Sequence, residues 1–299
     1  MSAAPSLFDP ALRRLRRDRA ARSLGEADFL LTEVSERLAE RLEDVLRSFP
    51  RVAILGAWDG TPARILAGRS GIGSLIQVES SPLMAACAAE FGPVVVADEE
   101  ALPLAEGSFD LILAPLTLHG VNDLPGALTQ IRRALRPDGL FLGAMLAGET
   151  LQNLRSAFAE AEIQTAGGLS PRVAPFADLR SLGGLLQRAG FALPAADLDR
   201  IEASYREPLR LLHDLKAMGE SNPLRERRRA FLRRDTLLRA LEILALDPPL
   251  KIRFDVAFLT GWAPHESQQK PLKPGSAQFR LAEALKTPEH PLDDKPEPL

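Results

Sequence analysis

The sequence predicts an α/β fold in which a mostly parallel sheet is covered on both faces by helices. Three observations carry this expectation. Five short apolar runs lie between residues 51 and 145, helical stretches alternate with them, and glycine or acidic residues follow their ends. Right-handed crossovers then put the carboxyl ends of the parallel strands on one edge, where ligands bind.

Residues 10–48 place Phe29, Leu30, Val34, Leu38, Leu42, Val45 and Leu46 at spacings of three and four, which predicts a helical arm stopped by Pro50. The period then changes. Residues 51–55 form an apolar run entering the turn Gly56-Ala-Trp-Asp-Gly60, with a helical stretch at 62–67. Residues 75–78 end in Glu79 and lead to a helix at 82–90, and residues 93–97 end in Asp98. Residues 109–114 lead to a helix at 123–135. The turn Pro137-Asp138-Gly139 precedes a fifth strand at 140–145. Beyond residue 150 helices are expected at 150–161, 178–189, 208–218 and 225–244. A strand is expected at 250–261, where Ile252, Phe254, Val256 and Phe258 alternate. Residues 265–277 read as a polar loop and 289–299 as a Pro-rich tail without structure. The division is then 1–50 helical arm, 51–150 core, 151–262 second part of the fold with a helical insertion, and 263–299 loop and tail.

Composition narrows the function. Of 299 residues 45% are apolar and 26% charged, with 37 basic against 40 acidic side chains and a net charge of −3. That is the balance of a globular protein and argues against a nucleic-acid binder. No apolar run is long enough for a transmembrane segment. One cysteine, Cys87, excludes an internal disulfide, and four histidines without an H-x-x-x-H pair argue against a zinc hydrolase. Arginine outnumbers lysine 31 to 6, and residues 1–22 hold six arginines. An Arg-rich start can be a mitochondrial transit segment, but this one contains acids and is not rich in serine. A solvated helix and a cytoplasmic protein are therefore the expectation. Residues 225–239, with seven arginines and two acids, read as a solvated face or a dock for an acidic partner.

Three positions at successive strand ends point to a nucleoside ligand. Gly56 and Gly60 bound a turn whose backbone can approach an anionic group, Glu79 is placed to accept both ribose hydroxyls, and Asp98 can accept from an adenine amino group. His119, just past the fourth run, is a candidate general base or a structural histidine. His265, Glu266 and Gln268 read as a hydrogen-bonded loop, and no metal site is expected.

Residues 98–113, Leu116-Thr-Leu-His-Gly-Val-Asn-Asp123 and Leu135-Arg-Pro-Asp-Gly139 resemble the class I methyltransferases that use S-adenosylmethionine (SAM). More specific segments are Gly148-Glu-Thr-Leu151, Gly219-Glu-Ser-Asn222, Arg234-Asp-Thr236, Gly261-Trp-Ala-Pro-His-Glu-Ser-Gln268 and Pro274-Gly-Ser-Ala277. Together they resemble the respiratory complex I assembly factors of methyltransferase fold, from about Phe8 to Leu285. The resemblance implies a Rossmann-like seven-stranded sheet with a helical N-terminal arm and helical insertions. It also implies SAM as cofactor, S-adenosylhomocysteine as product of methyl transfer, and methylation or arginine hydroxylation of a protein substrate such as a complex I subunit. Gly56, Ala57 and Gly60 would line the methionine part of SAM, Glu79 and Ser80 the ribose, Asp98 and Glu99 the adenine, and Leu116 the sulfonium. The compartment would be the matrix in a eukaryote, with any membrane association made through the client.

Two departures stand out. Where the family's first motif has an acid this chain has Ile54, and where it has a middle glycine this chain has Trp58. An indole crowds the carboxypropyl arm of SAM, and the missing acid removes a partner for its ammonium group. These changes support the rival reading of a non-catalytic assembly chaperone. A small-molecule methyltransferase of the malonyl-carrier-protein kind is the third alternative.

Overall fold

In a computed structural model, which describes residues 6–69, 71–269, 276 and 281–287, the order of elements begins with α1 (Pro10–Ala20), α2 (Phe29–Glu43), β1 (Phe49–Leu55), α3 (Thr61–Leu66), β2 (Ile72–Glu79), α4 (Pro82–Ala88) and β3 (Val94–Val96). It continues with β4 (Phe109–Pro115), α5 (Leu124–Ala134), β5 (Leu135–Ala147), α6 (Gln152–Ala166), α7 (Leu179–Arg188), β6 (Ala192–Tyr205), α8 (Pro208–Ala217), α9 (Arg234–Leu244) and β7 (Leu250–Trp262). These lie in one compact unit, Met1–Pro264; the second unit, His265–Leu299, contributes α10 (Leu281–Leu285).

The sheet has seven strands in the order β3-β2-β1-β4-β5-β7-β6. The first five run parallel, while β7 pairs antiparallel with both β5 and β6. Alternation along the central strands builds two layers of core. Val52 and Ile54 of β1, with Leu111 and Leu113 of β4, face the layer shared with α2 and α6. Ala53, Leu55, Ile112 and Ala114 face Leu128 and Ile131 of α5 and Leu182 and Leu186 of α7.

The helical arm is two helices, not one. Asp9 accepts from the Leu12 N–H and Pro10 stands at the first turn, which starts α1; the chain then breaks around Gly25 before α2 begins. Leu30, Val34, Leu38 and Leu42 are buried as the stripe predicts, but Leu46 lies past the helix and is 99% exposed. Strand β6 is absent from the sequence reading. It is an edge strand whose residues alternate between half-buried and exposed and carry Asp197, Asp199, Arg200 and Glu202, so no apolar run announces it. The expected helix at 225–244 is helical only from Arg234, where the run of arginines gives way to Thr236, Leu237 and Ala240. The expected tail at 289–299, like Pro274 and Ala277, lies outside the described residues.

Candidate functional site

The loop after β1 folds back over the end of β2. Gly56, at φ +75°, and Ala57 both donate their N–H to the Val78 carbonyl, at 2.9 and 3.1 Å. That turn brings Trp58 (φ +53°, 3% exposed) beside Glu79, and the indole Nε1 donates to the Pro115 carbonyl at 3.0 Å. Glu79 is buried at the end of β2. Its Oε2 accepts from the Trp58 N–H and its Oε1 from the Ser81 N–H, each at 2.9 Å.

The remaining partner of Glu79 comes from α1. Arg17 Nη2 donates to Glu79 Oε2 at 2.7 Å, and the guanidinium carbon lies 3.8 Å from the centre of the Trp58 ring. The Arg17 side chain is 2% exposed. One helical turn earlier, Arg13 holds the second buried acid, Glu99, with two bonds of 3.0 and 3.2 Å and reaches the Thr117 carbonyl at 2.7 Å. Thr117 Oγ1 also donates to Glu99. Burial pushes Glu99 upward, but the Arg13 and Arg17 charges outweigh it and hold its pKa at about 2. At Glu79 burial wins over Arg17, and the pKa is raised. Two cations of one helix face thus meet two carboxylates from the ends of β2 and the segment after β3.

The expected site residues therefore gather at one edge, although several contact protein where a ligand was expected. A Cβ on Gly56 would stand 2.6 Å from the Thr117 Cβ, and one on Gly60 2.3 Å from the Phe91 ring, so both glycines make room for side chains. Ala57 is buried, and Ser80 Oγ lies 3.4 Å from Glu79 Oε1. Asp98 turns to its own loop, its Oδ1 accepting from the Glu100 N–H at 2.9 Å, which leaves Glu99 as the buried acid here. Leu116 is buried at φ +47° and donates to the Ala144 carbonyl. His119 sits further along the same edge, with Nε2 3.2 Å from Glu220 Oε2 and Nδ1 buried without a hydrogen-bond partner. In the second unit, His265 Nδ1 bonds Ser267 Oγ at 2.7 Å and the His265 N–H bonds Gln268. No group of three candidate metal ligands occurs among the described residues.

Arg13, Arg17, Thr117 and Glu220 are the residues that sequence reasoning missed. Arg13, Arg17 and Glu220 meet partners about 60 to 105 positions away and Thr117 meets Glu99 across a loop, so no local period marks them. The available signal was the spacing of Arg13 and Arg17, one turn apart on an amphipathic helix.

Sheet order, parallel core and a loop folded over the end of β2 define the class I methyltransferase fold. A methyltransferase domain model matches residues 54–143. The solved YcgJ protein of Bacillus subtilis superposes with a TM-score of 0.54 at 16% identity, covering 76% of this chain and 98% of that one. The chain is 37% identical to the zebrafish (Danio rerio) "Arginine-hydroxylase NDUFAF5, mitochondrial" over 94% of its length and 90% of that protein's. It is 32% identical to a malonyl-[acyl-carrier protein] O-methyltransferase of Laribacter hongkongensis, over 86% and 91% respectively. On the first of these relatives, the chain belongs to the NDUFAF5 arginine-hydroxylase family.

Proposed function

We propose that this protein binds SAM at the carboxyl edge of its sheet and modifies an arginine of a protein client during respiratory complex I assembly. The observation that carries the reading is the 37% identity to an arginine-hydroxylase along nearly the whole chain. The residues fit the nucleoside half of the cofactor. Glu79 offers two carboxylate oxygens at the end of β2, with Ser80 beside it and Glu99 beyond. The fit is conditional, because Arg17 stands on the oxygen a ribose hydroxyl would use, so Arg17 must leave before the cofactor enters. When bound, SAM supplies an electron-poor methyl on a sulfonium.

The chain's own contribution is positioning. Leu116 and Trp58 wall the site, and Glu79 and Glu99 hold the nucleoside. His119 Nε2 lies 3.2 Å from Glu220 Oε2 and its Nδ1 has no hydrogen-bond partner, which makes this imidazole the group to exchange a proton with the acceptor. Glu220, half-buried at the same edge, gives a client guanidinium a carboxylate to approach.

Calorimetric titration with SAM and S-adenosylhomocysteine tests the first half of the reading, with micromolar binding expected. Mass spectrometry of complex I subunits from cells with and without this protein tests the second. An arginine heavier by one oxygen indicates hydroxylation, and one heavier by one methylene indicates methylation. The filling of the cofactor site by Arg17 and Trp58 favours one rival, a chaperone that holds its client without chemistry. Absence of SAM binding up to millimolar, with client captured equally in its presence and absence, would establish that rival.

A further inference from the structure

A cavity of about 340 Å³ opens beside the site, between α1, α6 and α8. That volume is near the lower end of the range, about 300–1,000 Å³, in which proteins hold small molecules. Its walls include Leu146, Leu154, Phe158, Leu215 and Phe254. All five are buried, none offers a hydrogen bond from its side chain, and they come from four elements, β5, α6, α8 and β7.

Four arginines also reach this cavity, and three of them are matched. Arg13 is paired with Glu99, Arg17 with Glu79 and Arg172 with Glu162. Arg16 is the exception. Its Nη1 is buried and has no hydrogen-bond partner, and among the described residues no acid forms an ion pair with it. Arg19 and Arg227 act on Arg16 from nearby with the same sign of charge, while the acids Asp9 and Glu220 oppose them more weakly. Arg227 is itself paired with Asp9, and Glu220 with His119. A half-buried cation without a carboxylate, at the edge of an apolar cavity, is costly unless something anionic meets it.

We infer that this cavity is a binding site for an amphipathic anion, with an apolar chain lying among Leu154, Phe158, Leu215 and Phe254 and a carboxylate or phosphate headgroup bonded to Arg16. The anionic headgroup follows from Arg16 and the apolar body from the walls. The cavity shares His119 and Glu220 with the site proposed above, yet occupancy by the anion needs neither bound SAM nor that reaction.

The test is calorimetric titration of the full-length protein, without SAM, with octanoate, octyl phosphate and octanol, which share a chain and differ in headgroup. Both anions are expected to bind at least about tenfold more tightly than octanol, as befits a charge-assisted hydrogen bond in a dry site. The tighter of the two identifies the headgroup. Arg16→Met keeps the apolar stem of the side chain and should abolish the preference for anions while leaving octanol unaffected; its thermal unfolding checks that the fold persists. Equal binding of octanol and octanoate, an unchanged preference in Arg16→Met, or no binding of any of the three would overturn the inference. Because SAM is absent throughout, failure here leaves the SAM reading standing, and failure of SAM binding leaves this one standing.

Discussion

A guanidinium 2.7 Å from Glu79 and a ribose hydroxyl compete for the same carboxylate oxygen. If SAM binds where proposed, each molecule of cofactor must displace Arg17, and the measured affinity is lowered by that cost. Arg17→Met retains an apolar stem over Trp58 and leaves Glu79 free. It is expected to bind SAM about tenfold or more tightly than the parent, at a cost of about 3–5 kcal/mol in stability for the buried carboxylate left unpaired. Titration calorimetry and urea unfolding read the two effects. Glu99 gives the pH counterpart. Its pKa is about 2 in the fold against an ordinary 4.5, so its contribution, about 3 kcal/mol, is present above pH 4.5 and is lost as the pH falls toward 2. The raised pKa of Glu79 acts in the opposite sense, adding stability at low pH that is lost as the pH rises through its folded value. Glu99→Gln should therefore unfold more readily at neutral pH and lose less on acidification, as followed by circular dichroism.

At the scale of elements, the sequence made legible β1, β4 and the second half of β5, whose buried residues force apolar runs, together with the buried end of β2 and the valines of β3. Strand β7 was legible by its alternation of Ile252, Phe254, Val256 and Phe258. Strand β6 escaped because one edge of it is wet and its charges sit where an interior strand has none. Glu79 was readable from its place after an apolar run, whereas the helix that covers it was not, since sequence period says nothing about which distant acid a helix face will meet. Hydrogen exchange should follow the same gradient. Amides of β1 and β4, at the centre of the sheet, are expected to exchange slowest, and those of three-residue β3, with Val96 half exposed at the edge, fastest among the strands. The corner where β5 leaves the sheet offers a sharper test. Gly148 has φ +55°, and a Cβ there would lie 2.7 Å from Asp255 Oδ2, the carboxylate that holds the Glu149 N–H and Arg253. Gly148→Ala should cost about 1–3 kcal/mol, measured by denaturant unfolding.

Over the whole unit, α1 is fastened to the methyltransferase core chiefly through charge. Arg13 and Arg17 point inward to Glu99 and Glu79, and Arg14 and Arg19 point outward on the exposed side. A helix held mainly by ion pairs to a ligand site responds to that ligand. Addition of SAM is expected to speed hydrogen exchange in residues 10–20 while slowing it in the loop at 56–60, and unchanged exchange in α1 on saturation would mean that the cofactor enters without displacing it.

The occupancy of Glu79 by Arg17 has a thermodynamic consequence that runs in both directions. Where two groups exclude each other from one carboxylate, whatever weakens the hold of the first strengthens the second by the same free energy. A client that captured the five arginines of α1 on an acidic surface would thereby open the cofactor site, and a loaded cofactor would in turn release α1 for capture. The protein would then be charged with cofactor mainly while a client is attached, and unattached copies would keep their site closed with their own side chain.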